Sequence, residues 1–408
     1  MQNNNDTWCI LPWLHLYVGP NGKIAPCCVG KPLGDYGETT LEEAWNSDSM
    51  KQLRLDMKNG VKNDICSSCY KKEDMGFKSM RQNFFSNIAM KNVAEDVITK
   101  TNSDGSLDDF KLYYLDLRFN NLCNFKCRTC NPFFSSSVAV EHMQNTSLKK
   151  FHKTPKRGII QNENIISEIE KQYDNVINIY FAGGEPMMQE EHWNILKYYV
   201  NNNTAKNVGL VYSTNTSRLT YKNNSVFDYW KHFKSVHVQT SIDAEGKRAE
   251  YWRDGTVWEE VFANIRLIKE SKVQWSIHSV ISWANIYSYI ELVKTLLQEK
   301  LSLGYNFTIW CLDESHEFNL QELPNFKKQE IANMLDAFII ELDEGKFGKY
   351  LGDPNIKRNI ENIKMFMFAK SIPINKEKFE KHFIMDGIRN KDFFEYFPEH
   401  ENMREYIQ

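Results

Sequence analysis

Cys123-Asn-Phe-Lys-Cys127-Arg-Thr-Cys130 constrains this chain more than any other stretch. Its thiols follow directly on an alternating run, Tyr113 to Phe119, that reads as a β-strand. A loop leaving a strand end can curl them around one centre, and three thiolates hold either a tetrahedral Zn²⁺ or an iron–sulfur cube. No Cys or His follows Cys130 until His142, too far on to close the loop locally. Such a site keeps one corner open for another molecule.

The 408 residues predict two or three domains at roughly 150 residues each. A hydrophobic content of 42% is ample for a buried core. A net charge of −3 implies no global pull toward nucleic acid or an acidic membrane surface. The basic run from Leu148 to Arg157 has no interleaved aromatic beyond Phe151 and reads as a solvated loop, not a nucleic-acid contact. No apolar run approaches the ~18 residues of a membrane span. The polar opening Met1 to Asp6 has no signal-peptide pattern, so a cytoplasmic location is expected. Nine cysteines, an odd number, argue for metal ligands over a disulfide framework.

Five of those cysteines lie in residues 1–82: Cys9, Cys27, Cys28, Cys66 and Cys69. Trp13 to Val18 alternates like a strand, Pro20-Asn-Gly22 signals a turn, and Lys23 to Cys27 returns, a β-hairpin that brings Cys9 and Cys27 together. Thr40 N-caps a helical run that continues from Leu41 through Met57, and Asn59-Gly60 ends it. Cys66-Ser-Ser-Cys69 supplies a second thiol pair, and by spacing alone zinc is a serious occupant. Residues 83–110 read as a connector with a polar, turn-rich linker at Thr101 to Ser106.

From Lys111 to Asp313 strand-like runs (112–119, 176–182, 207–214, 235–242, 273–281, 303–311) alternate with amphipathic helical ones. This α/β pattern predicts a parallel sheet with helices outside, curved as a partial (β/α)6 TIM-like barrel over residues 111–313. Right-handed crossovers put every post-strand loop at one mouth. On those loops lie Ala182-Gly183-Gly184-Glu185-Pro186, Ser213-Thr214-Asn215, and Ser241-Ile242-Asp243 followed by Arg253. Asp116 and Arg118 read as a buried pair or a substrate clamp. Residues 314–408 read as a helical, aromatic-rich region that covers the barrel mouth or packs on its flank.

The Cys-x₃-Cys-x₂-Cys loop after the first strand resembles the signature of the radical S-adenosylmethionine (SAM) enzymes. The resemblance implies that Cys123, Cys127 and Cys130 hold a [4Fe–4S] cluster whose unique iron chelates SAM. Reduction of that cluster then yields methionine and a 5′-deoxyadenosyl radical. Thr129 departs from the bulky apolar residue usual before the third Cys, and Phe125 is a substitute near the adenine. Gly183, Gly184 and Glu185 match the family's GGEP motif for the methionine amine. Ser213, Asn215, Ser241 and Arg253 stand at positions similar to those that bind ribose and carboxylate.

Cys9, Gly22, Cys27 and Cys66-x₂-Cys69, with Leu33-Gly34-Asp35 and Leu41 to Ser47 between them, look like the twitch form of the SPASM auxiliary-cluster domain. That implies a second [4Fe–4S] cluster on Cys9, Cys27, Cys66 and Cys69, with Cys28 as a neighbour or a replacement for Cys27. Better-known members carry this domain after the barrel, whereas here it comes first.

The implied activity is SAM cleavage and hydrogen abstraction from a substrate, with net oxidation and the auxiliary cluster as electron acceptor. An external donor of the flavodoxin or ferredoxin type would supply the priming electron. His278, Asp313 and Glu314 are candidate bases, and Cys311 is a candidate hydrogen-atom donor for a redox-neutral epimerisation. No winged-helix leader-binding domain precedes the hairpin, which favours a small molecule over a ribosomal peptide, although a peptide-modifying maturase stays open. A zinc-stabilised binding protein is the reading from a different class.

Overall fold

Two units divide the chain in the computed structural model, which describes residues 6–74, 78–85, 87–151, 163–301, 304–309, 317–348 and 355–408. The first unit comprises Met1–Asn121, Pro155–Val211 and Tyr229–Ser235; the second comprises Leu122–Thr154, Tyr212–Asp228 and Val236–Gln408.

The first unit opens with the expected hairpin, but a shorter one. Tyr17–Val18 pairs antiparallel with Lys23–Ala25, and Gly34–Asp35 adds a third strand. The strand expected from Trp13 does not form, because Pro12 fits the first turn of a helix and Leu11–Trp13 coils into a 3₁₀ turn. Residues 10–18 are all buried, so the alternation read there was not the two-sided pattern of a strand.

Thr40 caps Leu41–Trp45 through a reciprocal capping box with Glu43. The helix expected to continue through Met57 stops at Asn46, whose side chain instead takes Leu107 O at 2.7 Å. Ser47 then caps a second helix, Asp48–Lys58. The connector packs onto these helices: Trp45 Nε1 donates to Asp109 O at 3.1 Å and Trp13 Nε1 to Thr101 Oγ1 at 2.9 Å. Buried Arg54 lies over the Trp45 ring and donates to Pro12 O and Gly105 O. In the same unit strand Tyr114–Leu117, buried throughout, pairs parallel with Asn178–Phe181. Helix Glu190–Asn201 follows and buries Trp193, Leu196 and Tyr199.

Strand Gly209–Thr214 has residues in both units. In the second unit Ser235–Ser241 pairs parallel with Gln274–Ile281, which pairs parallel with Gly304–Ile309. Helices Trp258–Glu270 and Ile286–Gln298 stand between these strands in the chain, each burying one apolar stripe as a parallel sheet requires. The fold class is therefore α/β, as the alternation predicts, and no closed barrel forms among the described residues.

The region after residue 316 is helical, with Asn325–Asp343, Asn355–Ala369 and Glu380–Arg389 its longest members. Part of its aromatic content is core: Phe318, Phe379 and Phe393 pack on Trp283 with ring centroids 4.9 to 6.2 Å apart. Phe366, Phe394 and Phe397 are buried as well, whereas Phe326, Phe368 and Tyr406 are exposed. No described helix is long and apolar enough to cross a membrane.

Candidate functional site

The cysteine loop is built into the second unit by hydrogen bonds on every side. Lys126–Cys127 forms a two-residue antiparallel ladder with Arg253–Asp254, and Arg128 N donates to Trp252 O. Cys123 N donates to Ser136 Oγ, while Cys123 O accepts from Ser136 and Ser137 hydroxyls. Ser135 caps helix Ser136–Gln144 and also donates to Phe125 O, tying that helix start to the loop. Gly255, at φ +106°, lets its turn approach the loop: a Cβ there would stand 2.7 Å from Asn124 O.

Burial raises the Cys127 thiol against the lowering pull of Arg253, and it pushes Cys130 up to about 12, with Cys127 adding to the rise. Free of metal these are neutral thiols, so a bound metal must displace their protons.

Two of the expected SAM residues reach the loop. Asn215 Nδ2 stands 3.0 Å from Asn124 Oδ1 and 4.0 Å from the Cys123 sulfur. Arg253 Nη1 is 3.8 Å from the Cys127 sulfur while its Nε donates to Asp243 Oδ2 at 2.8 Å. Burial opposes the charge on Arg253, but Asp243 and Cys127 outweigh it and raise its pKa. Arg253 is thus a largely buried, ion-paired residue and not a solvated surface arginine. Asp243, which in the sequence stood out only as part of a strand ending, also accepts from Val280 N and so fixes the guanidinium.

Ser241 ends its strand half-buried and is the register partner of His278. Ser213 is half-buried, two residues before Asn215. Phe125 is buried beside the loop. Cys311, Asp313 and Glu314 lie outside the described residues.

In the first unit the glycine pair makes a turn with both residues at positive φ. Gly183 (φ +72°) would place a Cβ 2.7 Å from Cβ of Arg118. Glu185 is buried and caps the 3₁₀ turn Pro186–Met188. Arg118 grips Asp116 through two hydrogen bonds of 2.8 and 3.0 Å and lies over the Tyr17 ring, so the buried-pair alternative describes these two residues.

The same unit gathers four thiols. Cys66 ends the 3₁₀ turn Asp64–Cys66, and Cys69 follows three residues later in helix Ser67–Asp74, on the same face. Burial raises Cys9 most, and the charges of Cys27, Cys66 and Cys69 raise it further. Cys27 is pushed up to about 12 by burial, with Cys69 and Cys66 adding. Cys28 has other company: after burial its largest influences are Asp116 and Arg118, and its thiol meets Met80 Sδ at 3.8 Å. Cys9, Cys27, Cys66 and Cys69 thus form one electrostatic set, with Cys28 at its border.

Among the described residues no three or more His, Cys, Asp or Glu side chains close on a point that would hold one metal ion. An all-thiolate donor set is the chemistry that holds an iron–sulfur cluster.

Sequence reasoning missed the partners of the loop's own charged residues. Arg128, between two of the cysteines, is wholly buried against Tyr251 and Asp386. Lys126 lies 3.4 Å from Glu141 and 3.3 Å from Asp254, and Arg389 grips Glu141 at 2.9 and 2.7 Å. Alternating charge in the tail was the one signal available, and it looks the same for a solvated helix.

The Radical SAM superfamily model matches residues 117–282, and that of the SPASM iron–sulfur cluster-binding domain matches residues 9–70. A curated relative, the radical SAM cyclopropyl synthase TigE of Paramaledivibacter caminithermalis, is 24% identical over 242 residues, 57% of this chain and 47% of that protein. The chain spans about half the length of this relative. Among solved structures, native anSMEcpe with bound AdoMet is similar with TM-score 0.40 and 18% identity, covering 57% of this chain and 61% of that one. SuiB of Streptococcus suis bound to S-adenosylmethionine has TM-score 0.39 and 14% identity, covering 81% of this chain and 69% of that one. The two domain matches carry with them a [4Fe–4S] cluster, SAM, and further iron–sulfur on the SPASM domain. The chain thus carries a radical SAM domain at residues 117–282, with a SPASM domain ahead of it at residues 9–70.

Proposed function

We propose that this protein is a two-cluster radical SAM enzyme that abstracts hydrogen from its substrate in a net oxidation. The observation that carries the reading is the arrangement at the cysteine loop. Asn215 and Arg253 stand 4.0 and 3.8 Å from the sulfurs of Cys123 and Cys127. When bound and reduced, a [4Fe–4S] cluster at this loop supplies the electron that splits SAM into methionine and a 5′-deoxyadenosyl radical.

Cys123, Cys127 and Cys130 would hold that cluster, and Arg253, fixed by Asp243, donates toward the Cys127 sulfur. We assign Glu185 and the turn Gly183-Gly184 to the SAM amine, and Ser213, Asn215, Ser241 and Arg253 to its ribose and carboxylate. Gly183 leaves its turn without side-chain bulk, which lets backbone approach a ligand closely. His278, register partner of Ser241, is the described candidate for the base that takes the second proton. Cys9, Cys27, Cys66 and Cys69 would hold a second cluster, the chain's own provision for the electron that a net oxidation must lose.

An external low-potential donor and a small-molecule or peptide substrate complete the scheme. The curated relative, named a cyclopropyl synthase, favours a second outcome. Ring closure between two carbons that each lose a hydrogen has the same electron count as dehydrogenation, so the four-thiol set serves either. The radical SAM domain match weighs against the zinc-stabilised binding protein.

The test is anaerobic iron–sulfide reconstitution, dithionite reduction with SAM, and chromatography for 5′-deoxyadenosine. The proposal expects about eight irons per chain, as two cubane clusters require, and SAM cleavage lost in Cys123→Ala but kept in Cys66→Ala. Stoichiometric zinc, no iron and no 5′-deoxyadenosine would overturn it.

A further inference from the structure

We infer that the C-terminal helix Glu380–Arg389 is part of the cysteine-loop site, and that Arg128 and Asp386 are positioning residues that set the loop's geometry for its cluster. This rests on the reading above that the loop holds a cluster.

Arg128 occupies the position directly after Cys127, yet its side chain is wholly buried. A buried guanidinium is tolerated only when its donors are satisfied. Here Nη2 pairs with Asp386, Nη1 donates to His382 O at 3.3 Å, and Nε donates to Tyr251 O at 3.3 Å. The Tyr251 ring lies 3.8 Å below the guanidinium carbon. Two of these partners, Asp386 and His382, belong to the C-terminal helix.

Asp386 is itself fixed. It accepts from Tyr251 OH at 2.9 Å and from Phe393 N at 2.9 Å, so its carboxylate cannot follow Arg128 if the loop shifts. The residue on the other side of Cys127 is tied to the same helix. Lys126 meets Glu141 and Asp254, Arg389 grips Glu141, and Lys391 meets Asp254 at 3.0 Å. Cys127 therefore stands between two cations whose counter-charges are held by the C-terminal region. Cys130 hangs from it through Cys130 N donating to Cys127 O at 3.1 Å. Partners that orient metal ligands govern metal affinity even without touching the metal.

The experiment compares wild type, Asp386→Asn, Asp386→Glu and Arg128→Lys as full chains, with Arg404→Ala as a control in the same region. Each is reconstituted anaerobically, challenged with an iron chelator, and examined by electron paramagnetic resonance after reduction with and without SAM. Thermal melting confirms folding. Wild type should retain iron and change its spectrum on adding SAM; a wild type that does neither removes the cluster reading and this inference with it. Given that wild-type behaviour, Asp386→Asn and Arg128→Lys should lose iron to the chelator about 10–100-fold more readily and show an altered SAM-dependent spectrum. Asp386→Glu should recover part of both, and Arg404→Ala should match wild type. Folded Asp386→Asn and Arg128→Lys proteins with wild-type iron retention and spectra would overturn the inference while leaving the cluster reading intact.

Discussion

The sulfurs of Cys28 and Met80 face each other at 3.8 Å, while the neighbouring thiol of Cys27 shares its surroundings with Cys66 and Cys69. Adjacent cysteines in one strand-exit turn have thus been sorted between two environments. Cys27→Ala should remove the second cluster and lower reconstituted iron by about half, given two four-iron clusters. Cys28→Ser should retain full iron. Iron and sulfide determination on the two variants decides, and the reverse pattern would make Cys28 the ligand.

Asp243 holds Arg253 against the Cys127 sulfur. Both side chains are nearly out of solvent. Asp243→Ala leaves a buried guanidinium without its counter-charge and should cost about 3–5 kcal/mol of stability. Denaturant unfolding measures the loss. Arg253→Lys keeps the charge but not the fork and should weaken SAM cleavage with a smaller stability change. A full-rate Arg253→Lys enzyme would remove Arg253 from the SAM site.

Gly183 carries two constraints at once, a φ of +72° and the 2.7 Å approach to Arg118. The backbone conformation alone costs an L-residue roughly 1–2 kcal/mol, and the Arg118 contact adds to it. Gly183→Ala should therefore destabilise the chain and weaken SAM binding by equilibrium dialysis. Gly246, also at positive φ but with open space around its Cβ direction, should tolerate Ala with the backbone penalty only.

Acid should loosen the first unit through His15. Burial lowers this histidine to about 4 against the raising pull of Asp116, and the neutral ring bonds Tyr114 O at 2.9 Å. The unfolded chain takes up a proton near pH 6.5 that the folded chain refuses until about 4. His15 thus contributes stability that is full above pH 6.5 and lost as pH falls through 4, of order 3 kcal/mol. Buried His400, lowered by burial to about 3, adds to the same slope in the second unit. Melting curves between pH 7 and 4 should fall more steeply for wild type than for His15→Gln.

The parts of this molecule written in local sequence were legible there. Cys123 to Cys130, the glycine pair at 183–184 and the strand–helix alternation each occupy a short window with its own spacing rule, and each lies where that rule puts it. What stayed hidden depends on pairs far apart in sequence. Arg128 and Asp386 are 258 positions apart, and nothing periodic in either neighbourhood marks the other. The strand expected at Trp13 failed for a local reason that was readable, since Pro12 fits a helical first turn. The helix break at Asn46 was not readable, because it depends on Leu107 reaching that side chain. Cys27 and Cys28 could not be told apart by spacing alone; the positions of Asp116 and Met80 separate them.

The most direct measurement is the formation of 5′-deoxyadenosine by reconstituted, dithionite-reduced protein with SAM, compared between wild type and Cys127→Ala. The account predicts cleavage by wild type and none by the variant, with the variant still holding the iron of the Cys9, Cys27, Cys66 and Cys69 site. Cleavage undiminished in Cys127→Ala, or a wild type that binds iron yet never cleaves SAM, would contradict it.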